Sequence, residues 1–171
     1  MRERMSKSLC QENHFKSIFL AHSQELRNFM YYKSGNLEMA EDLVQEAFGK
    51  LWENCAKVLY EKARSYLYVV MNNLFLNQVA HQKVVLKFEQ RQKSDSYEQS
   101  PQFILEGKEF KERLTQAISD LPEKQRVVFL MNRIDRKTYR EIAEILEISV
   151  KAVEKRMHVA LSSLKKIHPK I

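Results

Sequence analysis

Residues 138–161 read TYREIAEILEISVKAVEKRMHVAL, and this stretch decides the fold. Thr138-Tyr139-Arg140-Glu141 has the form of a capping box, in which a Thr hydroxyl and a Glu carboxylate each satisfy a free backbone N–H at a helix start. It predicts a short helix holding Ile142, Ala143 and Leu146. Glu147-Ile148 supplies the bend, where a glycine is common. Ser149 is a good N-cap for a second helix through Val153, Met157, Leu161 and Leu164. Two short capped helices across a tight turn are the sequence form of a helix-turn-helix. With Val150, Val153, Met157 and Leu161 turned inward, the second helix presents Lys151, Ala152, Lys155 and Arg156 outward, beside Glu154 and His158. Such a helix suits duplex DNA, which offers phosphates along the groove edges and base edges on its floor. A plain amphipathic helix with a solvated basic face has the same pattern.

Upstream, Phe110, Leu114, Ala117, Ile118 and Leu121 form a helical stripe. Pro122 suits the first turn of the next helix, where its missing N–H has no partner to lose. That helix carries Val127, Val128, Met131 and Ile134. Before them, QRQKSDSYEQSP (Gln90 to Pro101) is polar, mixed in charge and closed by proline, a composition that reads as a flexible linker. The division is a first domain over 1–88, a linker over 89–108 and a helix-turn-helix domain over 109–171.

The first domain reads as three helices. Phe15, Ile18, Phe19, Leu26, Phe29 and Met30 mark one, ended by a turn at Ser34-Gly35-Asn36. In the second, Ala40, Leu43, Val44, Ala47, Phe48, Leu51 and Trp52 step by three and four. The third runs from Ala63 to about Gln82 through Leu67, Val70, Met71 and Leu74. On the second helix Asp42, Gln45, Glu46 and Gly49 share the opposite face, an acidic stripe suited to a basic partner surface or to solvent. Gly49 costs about 1 kcal/mol relative to Ala inside a helix; close approach of another backbone would explain it. On and before the third helix, Lys62 and Arg64 meet Tyr66, Tyr68 and Phe75, with Asn72, Asn73 and Asn77. Rings, amides and cations together suit a single nucleic-acid strand, although Tyr66 and Phe75 also fit a core.

Composition agrees with an all-α chain of two small helical domains. Its 171 residues hold three glycines and three prolines, too few for a turn-rich β fold. A net charge of +7 suits a polyanionic partner. Cys10 and Cys55 have no Cys or His at metal-ligand spacing, and a disulfide framework calls for more cysteines and a secretory segment. The N-terminus lacks a signal-peptide core and no apolar run is long enough to span a bilayer, so the expectation is cytoplasmic. Five histidines at 14, 22, 81, 158 and 168 form no His-Asp pair and no Glu-x-x-His motif, which argues against a helical metallohydrolase or ferritin-like oxidase. No metal, cofactor or catalytic residue is expected. A stand-alone operator-binding regulator leaves Asp42 and Glu46 without a role, and a protein-interaction module leaves the basic last helix without one.

Taken in order, AEDLVQEAFGKLW (Ala40 to Trp52), SYLYVVMNNLFLNQ (Ser65 to Gln78) and LPEKQRVVFLMNRIDRKTYREIAEILEISVKAVEKRMHVALSSLK (Leu121 to Lys165) resemble the polymerase-binding, promoter-melting and promoter-binding regions of extracytoplasmic-function sigma factors. The resemblance covers most of the chain. It implies a specificity subunit, not an enzyme, that binds core RNA polymerase and promoter DNA and takes no small-molecule substrate. By the same resemblance Asp42, Gln45 and Glu46 dock on the clamp helices of the largest polymerase subunit. Lys62, Arg64, Asn72, Asn73 and Asn77 fall in the segment that captures the unpaired strand of the minus-ten element. Ser149, Lys151, Ala152, Lys155 and Arg156 fall in the helix that reads the minus-thirty-five element. Tyr66 stands where many members have Trp, and His81 to Val85 is less basic than the Arg-rich run common there. VKAVEKRMHVAL resembles the branch that works with membrane-bound anti-sigma factors.

Overall fold

The structure, a computed structural model, describes residues 7–78 and 101–166, with side chains from residue 110 onward in the second stretch. Every regular element among the described residues is helical, and the chain divides into two compact units. One is built around α1 (Glu12–Ser34), α2 (Leu37–Glu53) and α3 (Ala63–Gln78). The other is built around α4 (Pro101–Asp120), α5 (Glu123–Arg133), α6 (Tyr139–Leu146) and α7 (Val150–Lys165). The expected extension of α3 to Gln82 lies outside the described residues, as does 89–100 of the expected linker. The helix from Pro101 begins inside that linker stretch, with proline at its first position, where its fixed φ is already helical.

In the first unit α2 packs against both α1 and α3. Ala40, Leu43, Val44, Ala47, Phe48 and Leu51 are all buried, as the three-and-four spacing requires. Ile18, Leu26, Phe29 and Met30 of α1 and Leu67, Met71 and Phe75 of α3 are buried with them in the same unit. The expected apolar stripes overreach at two aromatics. Trp52 is 47 % exposed and Phe19 is 41 % exposed, because both sit at the edge of the α1–α2 seam. Their rings lean on neighbours instead, Trp52 on Phe15 at 5.0 Å and Phe19 on Phe48 at 4.9 Å between centroids. The expected turn is present. Gly35 takes φ 68°, which glycine adopts without a Cβ clash, and its N–H donates to the Tyr31 carbonyl at 2.8 Å. The Asn36 side chain then caps α2 by accepting from the Met39 N–H at 3.0 Å.

Cys10 and Cys55, for which no disulfide was expected, are paired in this structure, with their Cα atoms 5.1 Å apart. The antiparallel α1–α2 hairpin returns the chain to its start. The bond therefore ties the segment before α1, where Leu9 is fully buried, to the turn after α2.

In the second unit α5 is buried on most of its surface through Val127, Val128, Phe129, Leu130 and Met131, and packs on α7. Ile134, expected with them, is 56 % exposed. Arg126 is also buried, and donates to the carbonyls of Ser119 at 3.1 Å and Leu121 at 2.8 Å, fastening the α4–α5 corner. Burial lowers its guanidinium below the ordinary value, and Glu123 opposes this. The buried face of α7 is Val153, Met157, Ala160 and Leu164. Val150 is 38 % exposed and Leu161 half-buried, so Ala160 takes the place in the seam expected for Leu161, while Leu164 is buried as expected.

Candidate nucleic-acid and partner interfaces

The outward face of α2 is the simplest of three surfaces. Asp42, Gln45, Glu46 and Gly49 are all exposed, as their i, i+3, i+4, i+7 spacing requires. Glu46 lies 3.6 Å from Lys50 one turn on, and Glu41 beside the stripe pairs with Arg27 at 3.0 Å. These are solvent-screened pairs worth a few tenths of a kcal/mol each, so they cost little to exchange for another cation. A Cβ built on Gly49 meets nothing within 4 Å. Packing among the described residues does not require glycine there.

The structure does not bring all the expected strand-binding residues of α3 to one face. Asn73 and Asn77 are exposed, flanked by the exposed Val69 and Leu76, and Tyr66 is half-exposed. Lys62 is exposed in the short 3-10 turn Tyr60–Lys62 just before α3. Tyr68 and Phe75 are buried and belong to the core, Tyr68 edge-on to Phe29 at 5.0 Å. Arg64 is nine residues from Asn73, about two and a half turns, and so faces the other way. Its Nε and Nη2 donate to the two carboxylate oxygens of Glu25 on α1 at 2.9 and 3.1 Å, a bidentate clamp. Burial works to lower the Arg64 guanidinium, but the hydrogen bond and charge of Glu25, with Tyr68, hold it above its ordinary value. His22 reaches the same carboxylate at 2.9 Å.

Asn72 sits on the flank between these faces, half-buried. Its side-chain oxygen accepts from Nζ of Lys33, itself only 7 % exposed. The Lys33 ammonium lies over the rings of Phe75 at 4.9 Å and Phe29 at 5.6 Å, and ring faces attract a cation. Lys33 and Glu25 were not among the expected site residues. Lys33 had a signal: it follows Leu26, Phe29 and Met30 at the spacing of the buried stripe, a core position for a lysine.

In the second unit the capping box is present. The Glu141 carboxylate accepts from the Thr138 N–H at 2.7 Å, and the Thr138 hydroxyl accepts from the Glu141 N–H at 3.3 Å. Ile142 and Ala143 are buried beneath it. At the bend Glu147 has φ 52°, the left-handed conformation that favours glycine, and costs about 1–2 kcal/mol for an L-residue. The Ser149 hydroxyl accepts from the Ala152 N–H at 3.2 Å and starts α7. Lys151, Lys155 and His158 lie exposed along one line of α7, with Glu154 beside them; Ala152 and Arg156 are half-buried on its flanks. Among the described residues no cluster of three or more His, Cys, Asp or Glu is placed to hold a metal ion, and no helix is long and apolar enough to cross a membrane.

Residues 18–84 match the family described as Sigma-70 region 2, and residues 111–164 match Sigma-70, region 4. The chain is 26% identical over 156 residues to the RNA polymerase sigma factor YlaC of Bacillus subtilis, covering 88% of this chain and 90% of that protein. It is also 26% identical over 163 residues to the ECF RNA polymerase sigma factor SigW of the same organism, covering 89% and 87%. Among solved structures, the sigma factor RpoE in complex with the anti-sigma factor NepR, from Bartonella quintana, shares the fold. Its TM-score is 0.61 at 20% identity, covering 89% of this chain and 94% of that one. CnrH, solved with the cytosolic domain of CnrY, has a TM-score of 0.60 at 20% identity over 92% and 88%.

Proposed function

This chain belongs to the sigma-70 family, as an extracytoplasmic-function sigma factor directing promoter-specific transcription initiation, and from that premise we propose how its three surfaces divide the work. Asp42, Gln45 and Glu46 hold core RNA polymerase through a basic surface of the enzyme, with Gly49 leaving room for close approach. Lys62, Asn72, Asn73 and Asn77 take up the unpaired strand of the minus-ten element. Unstacking costs a few kcal/mol per step, which captured bases offset. Arg64, clamped to Glu25, acts on the strand by fixing where α3 starts and not by direct contact. The helix-turn-helix binds the minus-thirty-five duplex through Ser149, Lys151, Ala152, Lys155 and Arg156. The first domain is taken as 1–88 and the second as 109–171, with α4 reaching back into the stretch between, which keeps both on one promoter at high effective concentration.

The chain is read as a non-catalytic subunit that works in the cytoplasm on DNA. A cytoplasmic thiol pair is normally held reduced, so the Cys10–Cys55 bond would be its oxidised form. An anti-sigma factor, tethered at a membrane, is the proposed regulator; RpoE and CnrH were both solved bound to protein partners.

One observation carries this reading: a single chain pairs an exposed acidic stripe on α2 with a capped helix-turn-helix whose second helix exposes Lys151 and Lys155. The test is binding of purified protein to bacterial core polymerase, wild type against an Asp42→Arg, Glu46→Arg double variant. Tight binding by wild type and a loss of at least tenfold in the variant are expected, since reversed charges at an interface cost several kcal/mol. Wild-type protein that ignores core polymerase but binds duplex DNA would make it an operator-binding regulator.

A further inference from the structure

Lys33 is a buried cation that donates to Asn72 on α3, a residue assigned above to strand capture. A lysine ammonium has three donors and no acceptor, so only the carboxamide oxygen of Asn72 can face it. The amide is thereby fixed in one of its two orientations. Its nitrogen bonds no other described residue, so what Asn72 has left to offer is a pair of N–H donors. A free asparagine can turn either edge to a base; this one cannot.

We propose that Lys33 is a positioning residue that makes Asn72 a donor-only reader of the melted strand, selecting a base with a keto oxygen over one with an exocyclic amine. This rests on the proposed capture of the unpaired strand by α3. Thymine O4 and guanine O6 accept hydrogen bonds, whereas adenine N6 and cytosine N4 donate them. In a single strand those edges are free of their pairing partners and open to side chains. Donor meeting acceptor favours T or G. At the exocyclic group donor meets donor in A or C, whose acceptors lie elsewhere on the ring, and this disfavours them. Lys33 is held for the task from below, its ammonium over Phe75 and Phe29 on the two helices it joins.

The experiment uses holoenzyme, this chain with bacterial core polymerase, and a pool of single-stranded DNA randomised across the length of a minus-ten element. Captured strands are sequenced for wild type, Lys33→Met and Asn72→Asp. Wild type is expected to favour T or G over A or C at one position by roughly fivefold, the worth of one neutral hydrogen bond. Lys33→Met keeps the length of the side chain but frees the amide, and should level that position while leaving the others. Asn72→Asp keeps an oxygen for Lys33 and turns an acceptor outward, so the same position should invert to A or C. A merely structural role for Lys33 weakens capture at every position alike and inverts none. If Lys33→Met does not fold, the Asn72→Asp profile alone decides. Wild-type selection that survives unchanged in Asn72→Asp overturns the inference and leaves strand capture standing. Wild-type holoenzyme that selects no bases overturns strand capture, and the inference with it.

Discussion

Gly49 puts a helix-breaking residue in the middle of α2 with empty space where its side chain would be. Replacing it by alanine should stabilise the free protein by about 1 kcal/mol, because Ala is the better helix former and meets no neighbour. Thermal melting of the first unit checks this. The same variant should bind core polymerase more weakly if another backbone comes close there, so stability and docking would move in opposite directions. Single positions were also where the sequence was least legible. Arg64 reads as a phosphate-binding cation, but its carboxylate partner is 39 residues away on another helix, and no local spacing announces it. Lys33 interrupts an apolar stripe, and a break in a pattern is easily taken for its end. Glu147 was legible as an oddity, an acid where glycine is common. Its φ of 52° shows that the turn kept its shape and accepted the strain.

Elements were far more legible than residues. Period alone placed the α2 core from Ala40 to Leu51, and cap chemistry alone placed α6 and α7, since Thr138, Glu141 and Ser149 make the bonds their side chains are built for. What period cannot give is how far a seam extends. Trp52 and Phe19 continue an apolar stripe past the edge of the helix they pack on, while in the α7 seam Ala160 is buried where Val150 and Leu161 were expected and Leu164 is buried as expected. The exposed line of α7 sets the prediction at this scale. A Lys151→Ala, Lys155→Ala double variant should bind its minus-thirty-five duplex more weakly. If both contact phosphates, a plot of log affinity against log salt should become shallower by roughly two units. Titration by fluorescence anisotropy between low and moderate salt measures both quantities. An unchanged slope with altered base preference would mean that the two lysines read bases.

For the whole molecule, the two-unit division was readable from the polar stretch between the helical patterns, but covalent linkage within a unit was not. Pairing of Cys10 and Cys55 depends on the hairpin of α1 and α2, which cysteine spacing does not encode. The bond spans 45 residues of sequence. Chain-entropy reasoning gives a cross-link of that span about 4 kcal/mol, with measured effects more often 2–4. Reduction, or Cys55→Ser, should therefore lower the melting of the first unit and leave that of the second in place, as differential scanning calorimetry with and without reductant would resolve. The same bond changes what cutting the chain does. The turn at Ser34-Gly35-Asn36 lies inside the loop it closes. A protease that cleaves there opens a ring and does not release a fragment. The nicked protein would keep its first helix and the rest as one covalent species, travelling as a single band on a gel until a thiol is added and then as two.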